Sequence, residues 1–284
     1  MSFENPEANN YQEFFERVKN TDILPSPDNQ KETEQKELQE VLSTVFKEYG
    51  EQAIKINDGR IFTTLSGGLD STIALAFLRK NFPGATIETF TMGGDENHPD
   101  LQHARLAAKK FNSTHHEFIP SPDEIQGALD EFKKAFPDVD IMRHHGSLDV
   151  FMLYQYLEKS RPRTVIVHDG IDELMGGYWG HRKEIEPIKK AEAFTNFWQR
   201  LVPDHLEPLA RTANHFNIKL LFPYLDSRII SAISQIPLDE RTTKALSKIP
   251  LRNIAQELGV PQEIIDRPKR GQVGMLDREG RKSG

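Results

Sequence analysis

The sequence predicts an α/β protein, a doubly wound and mostly parallel sheet followed by a helical C-terminal part, and three observations carry that prediction. Apolar or β-branched runs at RIFTTL from Arg60, TIETFTM from Thr86 and TVIVHDG from Thr164 are separated by stretches of helical spacing such as STIALAFLRKN and DLQHARLAAKKF. Intervals of that length imply right-handed crossovers, and therefore parallel strands with helices on both faces. From about Glu184 the pattern becomes helical, in PIKKAEAFTNFWQRL, SRIISAISQI and LRNIAQEL, and reads as a layer closing over the sheet.

Taken in order, residues 1 to 30 are polar and punctuated by Pro6, Pro25 and Pro27, which predicts a loosely structured lead-in. From Lys31 to Tyr49, Leu38, Val41, Leu42, Val45, Phe46 and Tyr49 recur at helical spacing, as expected of a helix docked on a core. The short segment THHEFI is read as a further strand. Three regions are expected: a polar extension with its packing helix over residues 1–55, the sheet core over 56–190, and the helical closing part over 191–284. A hydrophobic content of 37% suits an ordinary core, and no run of eighteen apolar residues or N-terminal apolar stretch suggests a membrane segment or leader. A cytoplasmic protein with no membrane partner is expected. The net charge of −7 argues against indiscriminate nucleic-acid binding, and the absence of cysteine excludes disulfides, thiolate metal sites and thiol nucleophiles.

In LSGGLDST, Leu65 to Thr72, two glycines fall where the chain leaves a strand and enters a helix. Such a place offers unpaired backbone N–H groups and the positive end of a helix dipole, which suit an anion. Gly67 and Gly68 let oxygens approach the backbone, while Ser66, Ser71 and Thr72 add hydroxyls. No lysine follows the glycines as in a Walker loop. Asp70 stands there instead, and it would repel a bare phosphate but hold a magnesium ion bridging phosphate oxygens. A glycine turn with an aspartate N-cap is the plain alternative. A second acidic cluster, Asp169, Asp172 and Glu173 in VHDGIDELMGGYWGH, again follows a β-branched run, and like charges so close call for a cation or hydrogen-bond donors. A solvated acidic loop is the bland reading of that cluster.

The order SGGLDST, ETFTMGG, THHEF, HDGIDELMGGY, LLFPYLDSRI and LRNIAQELGVPQEIIDRPKRGQ resembles the synthetase domain of glutamine-dependent asparagine synthetases, from about Arg60 to Val273. The resemblance implies a PP-loop ATP pyrophosphatase fold, of the adenine nucleotide alpha hydrolase type, and an ATP-dependent ligase. A carboxylic acid, aspartate or a relative, would be activated as an acyl-adenylate and transferred to ammonia or an amine. It further implies that Ser66, Gly67, Gly68 and Ser71 contact pyrophosphate, with Gly170 among the nucleotide-binding residues. Asp70 and Asp172 would hold Mg²⁺, and the backbone at Met92 would meet adenine. Lys269 would neutralise charge on the adenylate and departing pyrophosphate, and Asp169 would lie at the acyl centre. Arg143, in a loop where the family builds its acyl pocket, is expected to recognise substrate. Phe222 to Asp226 would dock the helical half on the sheet.

Two departures qualify the resemblance. Where the family reads GEGxDE, this chain has HDGIDE, with Asp169 a methylene shorter and His168 in place of glycine. Either the acid differs from aspartate or the base has moved to the imidazole, so His168 is a further substrate-side candidate. The family's glutaminase domain has no counterpart in the sequence, so ammonia would come from solution or a separate glutaminase subunit, or another amine would serve. A homo-oligomer is compatible with the sequence. The pairs His115-His116 and His144-His145 are poor chelates, because neighbours on a strand point to opposite faces. The rival readings are a related enzyme adenylating a tRNA base and a nucleotide-binding subunit that has lost catalysis.

Overall fold

A five-stranded parallel sheet in the order β3-β2-β1-β4-β5 organises the computed structural model, which describes residues 11–25, 35–139 and 145–268. Along the chain, helices α1 (Gln12–Lys19) and α2 (Gln35–Ile56) precede strand β1 (Arg60–Thr64). There follow α3 (Leu69–Asn81), β2 (Thr86–Met92), α4 (Pro99–Lys110), β3 (Thr114–Phe118), α5 (Pro122–Ala135), α6 (His145–Glu158) and β4 (Thr164–Ile166). After the short helices α7 (Ile171–Met175) and α8 (Trp179–Lys183), α9 (Pro187–Leu201) continues through a π-helical turn, Val202–Leu206, into α10 (Glu207–His215). Strand β5 (Lys219–Leu221) precedes α11 (Ser227–Ser234), α12 (Leu238–Arg241), α13 (Ile249–Glu257) and α14 (Gln262–Ile265).

The chain moves outward from β1 to β2 and β3, then returns to the other side of β1 as β4. That reversal puts the topological switch point between the carboxyl ends of β1 and β4, where an open α/β sheet leaves its crevice. Ile61, Phe62 and Thr63 are all buried, as expected of a central parallel strand covered on both faces. Helix α3 is buried over most of its circumference, from Ser71 to Leu78, with α2 and α13 packed against it. Phe46 of α2 stacks on Phe77 of α3 at 5.7 Å between ring centroids and meets Tyr224 edge-on at 5.2 Å.

Three local expectations need correction. The lead-in contains α1, whose Phe14, Phe15 and Val18 are buried with Tyr11 in the main core. Leu220 N donates to the Tyr11 hydroxyl at 2.6 Å, and the Trp198 indole donates to Val18 O at 3.1 Å. An apolar stripe at positions 11, 14, 15 and 18 is helical in spacing but too short to stand out between prolines, and burial of each aromatic ring contributes about 2 kcal/mol. Strand β5 is the second omission: only three residues long, it completes the sheet by pairing Val165 with Leu220 in a segment read as helical. Helix α2 runs on past Tyr49 to Ile56, since buried Ala53 continues its stripe. Among the described residues, no helix is long and apolar enough to cross a membrane.

Candidate active site

A cavity of about 420 Å³ opens at the carboxyl ends of β1, β2 and β4, lined by the phosphate-type loop, the acidic cluster and residues of the helical half. Gly68 caps α3 in an extended conformation with no side chain bonded to the helix end, so the first N–H groups of a thirteen-residue helix face the cavity. Ser66 Oγ lies 3.1 Å from Ser71 Oγ and accepts from Gly68 N at 3.3 Å, which closes the loop into a cradle. Thr72 is turned inward, its hydroxyl donating to Gly68 O at 2.7 Å. The two glycines serve different ends. Gly68 faces the cavity, whereas Gly67 is buried at φ 65°, where a Cβ would come within 2.5 Å of Ala104 N on α4. The Tyr224 hydroxyl supports the loop from below by donating to Asp70 O at 2.9 Å, which ties the Phe222 to Asp226 turn to the start of α3.

Asp70 on α3 and Asp172 on α7 converge on a single cation, the ammonium of Lys248. Its Nζ is 2.5 Å from Asp70 Oδ2 and 2.7 Å from Asp172 Oδ1, and the lysine side chain is 4% exposed. Lys248 immediately precedes α13 in a left-handed conformation, φ 55°, an uncommon backbone state for a residue with a side chain. Sequence reasoning missed it; its one local signal is a lysine directly ahead of a helix that begins Ile249-Pro250. Gly177 matters to the same cluster, since a Cβ there would overlap the Asp172 carboxylate. Asp70 Oδ1 is buried with no hydrogen-bond partner among the described residues. Two carboxylates already gathered around one positive charge, one with an unused oxygen, fit a hard divalent cation such as Mg²⁺.

The acidic cluster is graded by its surroundings. Glu173 is buried and accepts from the Tyr178 hydroxyl at 3.0 Å; burial, reinforced by the charge of Asp172, raises its carboxyl to about 7. Behind it His181 Nδ1 accepts from Tyr178 N at 3.3 Å, and burial pushes that imidazole down to about 4. His168 lies 3.1 Å from Thr63 Oγ1 through Nε2, and enclosure by the surrounding protein pushes it down to about 3. Such an imidazole is uncharged near neutral pH and a weak base. Asp169 and Gly170 also line the cavity; a Cβ on Gly170, at φ 91°, would collide with Leu225, so packing demands that glycine as well.

Leu65, directly after β1, and Phe90 and Met92 of β2 form an apolar part of the lining. Asp149, Tyr154, His205 and Arg252 line the cavity too and were not singled out in the sequence. Arg267, near its mouth, donates to Ser66 O at 3.3 Å and pairs with Asp100. Arg143 and Lys269 lie outside the described residues. Trp179 neither lines the cavity nor packs inside: it is 57% exposed, with Arg182 5.5 Å over its ring. His115 and His116 do diverge, the first to Thr89 Oγ1 at 2.9 Å and the second to Glu88 Oε2 at 3.1 Å.

The family model described as asparagine synthase matches residues 51–193 and 186–278. Glutamine-hydrolysing asparagine synthetases from Mus musculus and Bos taurus are each 32% identical over 221 residues, which cover 75% of this chain and 39% of theirs. The Homo sapiens protein is 31% identical over the same share. The chain thus spans about two fifths of the length of these relatives. Among solved structures, NMN synthetase from Francisella tularensis aligns with a TM-score of 0.45 at 17% identity, covering 87% of this chain and 82% of that one.

Proposed function

From the premise that the chain belongs to the asparagine synthase family, we propose that it is an ATP-dependent ligase that activates a carboxylic acid as an acyl-adenylate and passes it to ammonia or an amine. One observation supports this above the others: a cradle of backbone N–H groups, two carboxylates from separate helices and one buried ammonium meet at the switch point of the sheet. A carboxylate oxygen of the acid attacks the α-phosphorus of ATP, the bond to pyrophosphate breaks, and a poor leaving group becomes a good one. The amine nitrogen then bonds to the acyl carbon while the bond to AMP breaks and a proton is released.

Ser66, Gly68 and Ser71 receive the pyrophosphate end of the nucleotide, with Gly67 and Gly170 shaping the loops around it. Met92 meets the adenine. Asp70 and Asp172 would hold Mg²⁺, which supplies charge neutralisation on the phosphates. Lys248 counters the same charge when it is released from the carboxylates. Asp169 works at the acyl centre, and Lys269 and Arg143 keep the adenylate-neutralising and acid-recognising roles that their motifs imply. The acid is aspartate or a relative, and the ammonia comes from solution or from a separate glutaminase subunit in the cytoplasm.

The test supplies purified protein with MgATP, ammonium and aspartate or related acids. AMP, pyrophosphate and amide should form in equal amounts, only when an effective acid is present. ATP consumption that ignores every acid, or that yields ADP, would remove this reading.

A further inference from the structure

Thr63 and His168 make an arrangement that adenylation does not require. Thr63 Oγ1 donates to Ile166 O at 3.0 Å and lies 3.1 Å from His168 Nε2. A threonine has one hydroxyl proton and a carbonyl can only accept, so when that proton goes to Ile166 O, the nearer of two carbonyls within reach, the imidazole donates from Nε2. Nδ1 then carries a lone pair, in a tautomer set by the threonine. Enclosure keeps the ring uncharged, with its pKa pushed down to about 3. His168 is partly exposed to the cavity it lines, and no other hydrogen bond engages its ring among the described residues.

The surrounding wall complements that lone pair. Asp169 follows directly in the chain, and Tyr154 on α6 lines the same cavity with a buried hydroxyl that has no hydrogen-bond partner among the described residues. Burial, reinforced by the charge of Asp169, raises the Tyr154 phenol well above its ordinary value, so the hydroxyl stays a donor. The cavity lining therefore offers a neutral acceptor and a donor, and a reacting group with N–H on one side and C–O on the other satisfies both.

We propose that His168 Nδ1 accepts an N–H of the nitrogen nucleophile, ammonia in the simplest case, and holds it against the activated acyl carbon while the Tyr154 hydroxyl donates to the acyl oxygen. The proposal rests on the ligase reading and adds the nucleophile's docking point to it. A neutral acceptor orients ammonia by one N–H and leaves the nitrogen lone pair free to attack. As the N–C bond forms and the C–O bond to AMP breaks, the released proton passes to the Asp169 carboxylate, because His168 is too weakly basic to keep it. Thr63 is a positioning residue, acting through the tautomer.

Two assays separate this proposal from the ligase reading: acid-dependent exchange of pyrophosphate into ATP reports adenylation alone, and amide formation with ammonium reports transfer. Asn places an amide near the Nδ1 position and Gln near the Nε2 position. His168→Asn should therefore hold the KM for ammonium close to that of the unaltered protein, and His168→Gln should raise it about tenfold, the worth of one hydrogen bond, while exchange falls much less. Thr63→Val should shift the ring nitrogens of His168, read by ¹⁵N NMR, away from a pure Nε2–H form and raise the same KM. An Nδ1–H tautomer in the unaltered protein, or equal ammonium KM values in the Asn and Gln variants, would overturn the proposal with exchange intact. Absence of exchange in the unaltered protein would remove the ligase reading first, and the proposal with it.

Discussion

Two ionic clusters sit at opposite ends of the same sheet and are built from similar residues. At the amino end of β2, Glu88 has both oxygens engaged, Oε1 by Arg60 Nη1 at 3.2 Å and Oε2 by His116 Nε2 at 3.1 Å. At the carboxyl end, one ammonium serves two carboxylates, an Asp70 oxygen is buried without a hydrogen-bond partner among the described residues, and burial raises the neighbouring Glu173 carboxyl to about 7. The first cluster is complete as it stands. The second keeps one Asp70 oxygen unused among the described residues at a place the topology already marks as a crevice, and incomplete satisfaction is what distinguishes a binding site from a structural ion pair.

The largest effect should come from Lys248→Ala. Acid-dependent turnover should fall about 10²- to 10³-fold, as for loss of one donor to developing charge. The half-buried Asp70 and Asp172 carboxylates would then lose the ammonium they share and repel each other, at a cost of about 3–5 kcal/mol in the absence of metal. Added Mg²⁺ should restore much of the lost melting temperature in this variant, and a melt that ignores Mg²⁺ would count against Asp70 and Asp172 as its ligands. Glu88→Gln is the contrasting case. It should cost about 1–2 kcal/mol of stability, because Arg60 is exposed enough to turn to water, and should leave turnover within about twofold.

The pH dependence of stability sharpens the same contrast. His168 and His181 have folded values pushed from 6.5 down to about 3 and about 4, so the unfolded chain binds more protons below 6.5 and stability is lost as pH falls. Glu173 has the opposite sign: raised from 4.5 to about 7, it binds its proton more tightly when folded and adds stability as pH falls through that window. Two groups against one predict a net loss between about pH 6.5 and 4.5. Glu173→Gln should make that acid limb steeper, and thermal melts of both proteins across the window would show it. The smallest effect belongs to Trp179→Ala, within about 0.5 kcal/mol, since the ring is solvent-facing despite its place beside the acidic motif.

What was legible in the sequence is what chemistry forces to be contiguous. The glycines, serines and aspartate of SGGLDST must share one turn to cradle an anion, and Asp169, Asp172 and Glu173 share another, so both appear as strings. Lys248 did not, because it reaches Asp70 across 178 positions and nothing local announces the encounter. Strand β5 and helix α1 were hidden by length: three and eight residues show too little periodicity, and both form because the sheet and Phe222 provide the surface they cover. His168 was conspicuous as a departure from a glycine. Its protonation state was not, since that depends on enclosure and on Thr63, a residue of another strand.

Adenylation of a carboxylate is tested most directly by following oxygen. With aspartate, or whichever acid supports turnover, carrying ¹⁸O in its carboxyl group, attack on the α-phosphorus predicts that one labelled oxygen leaves in AMP for each amide formed. Label found in inorganic phosphate alongside ADP, or AMP formed without label, would contradict it.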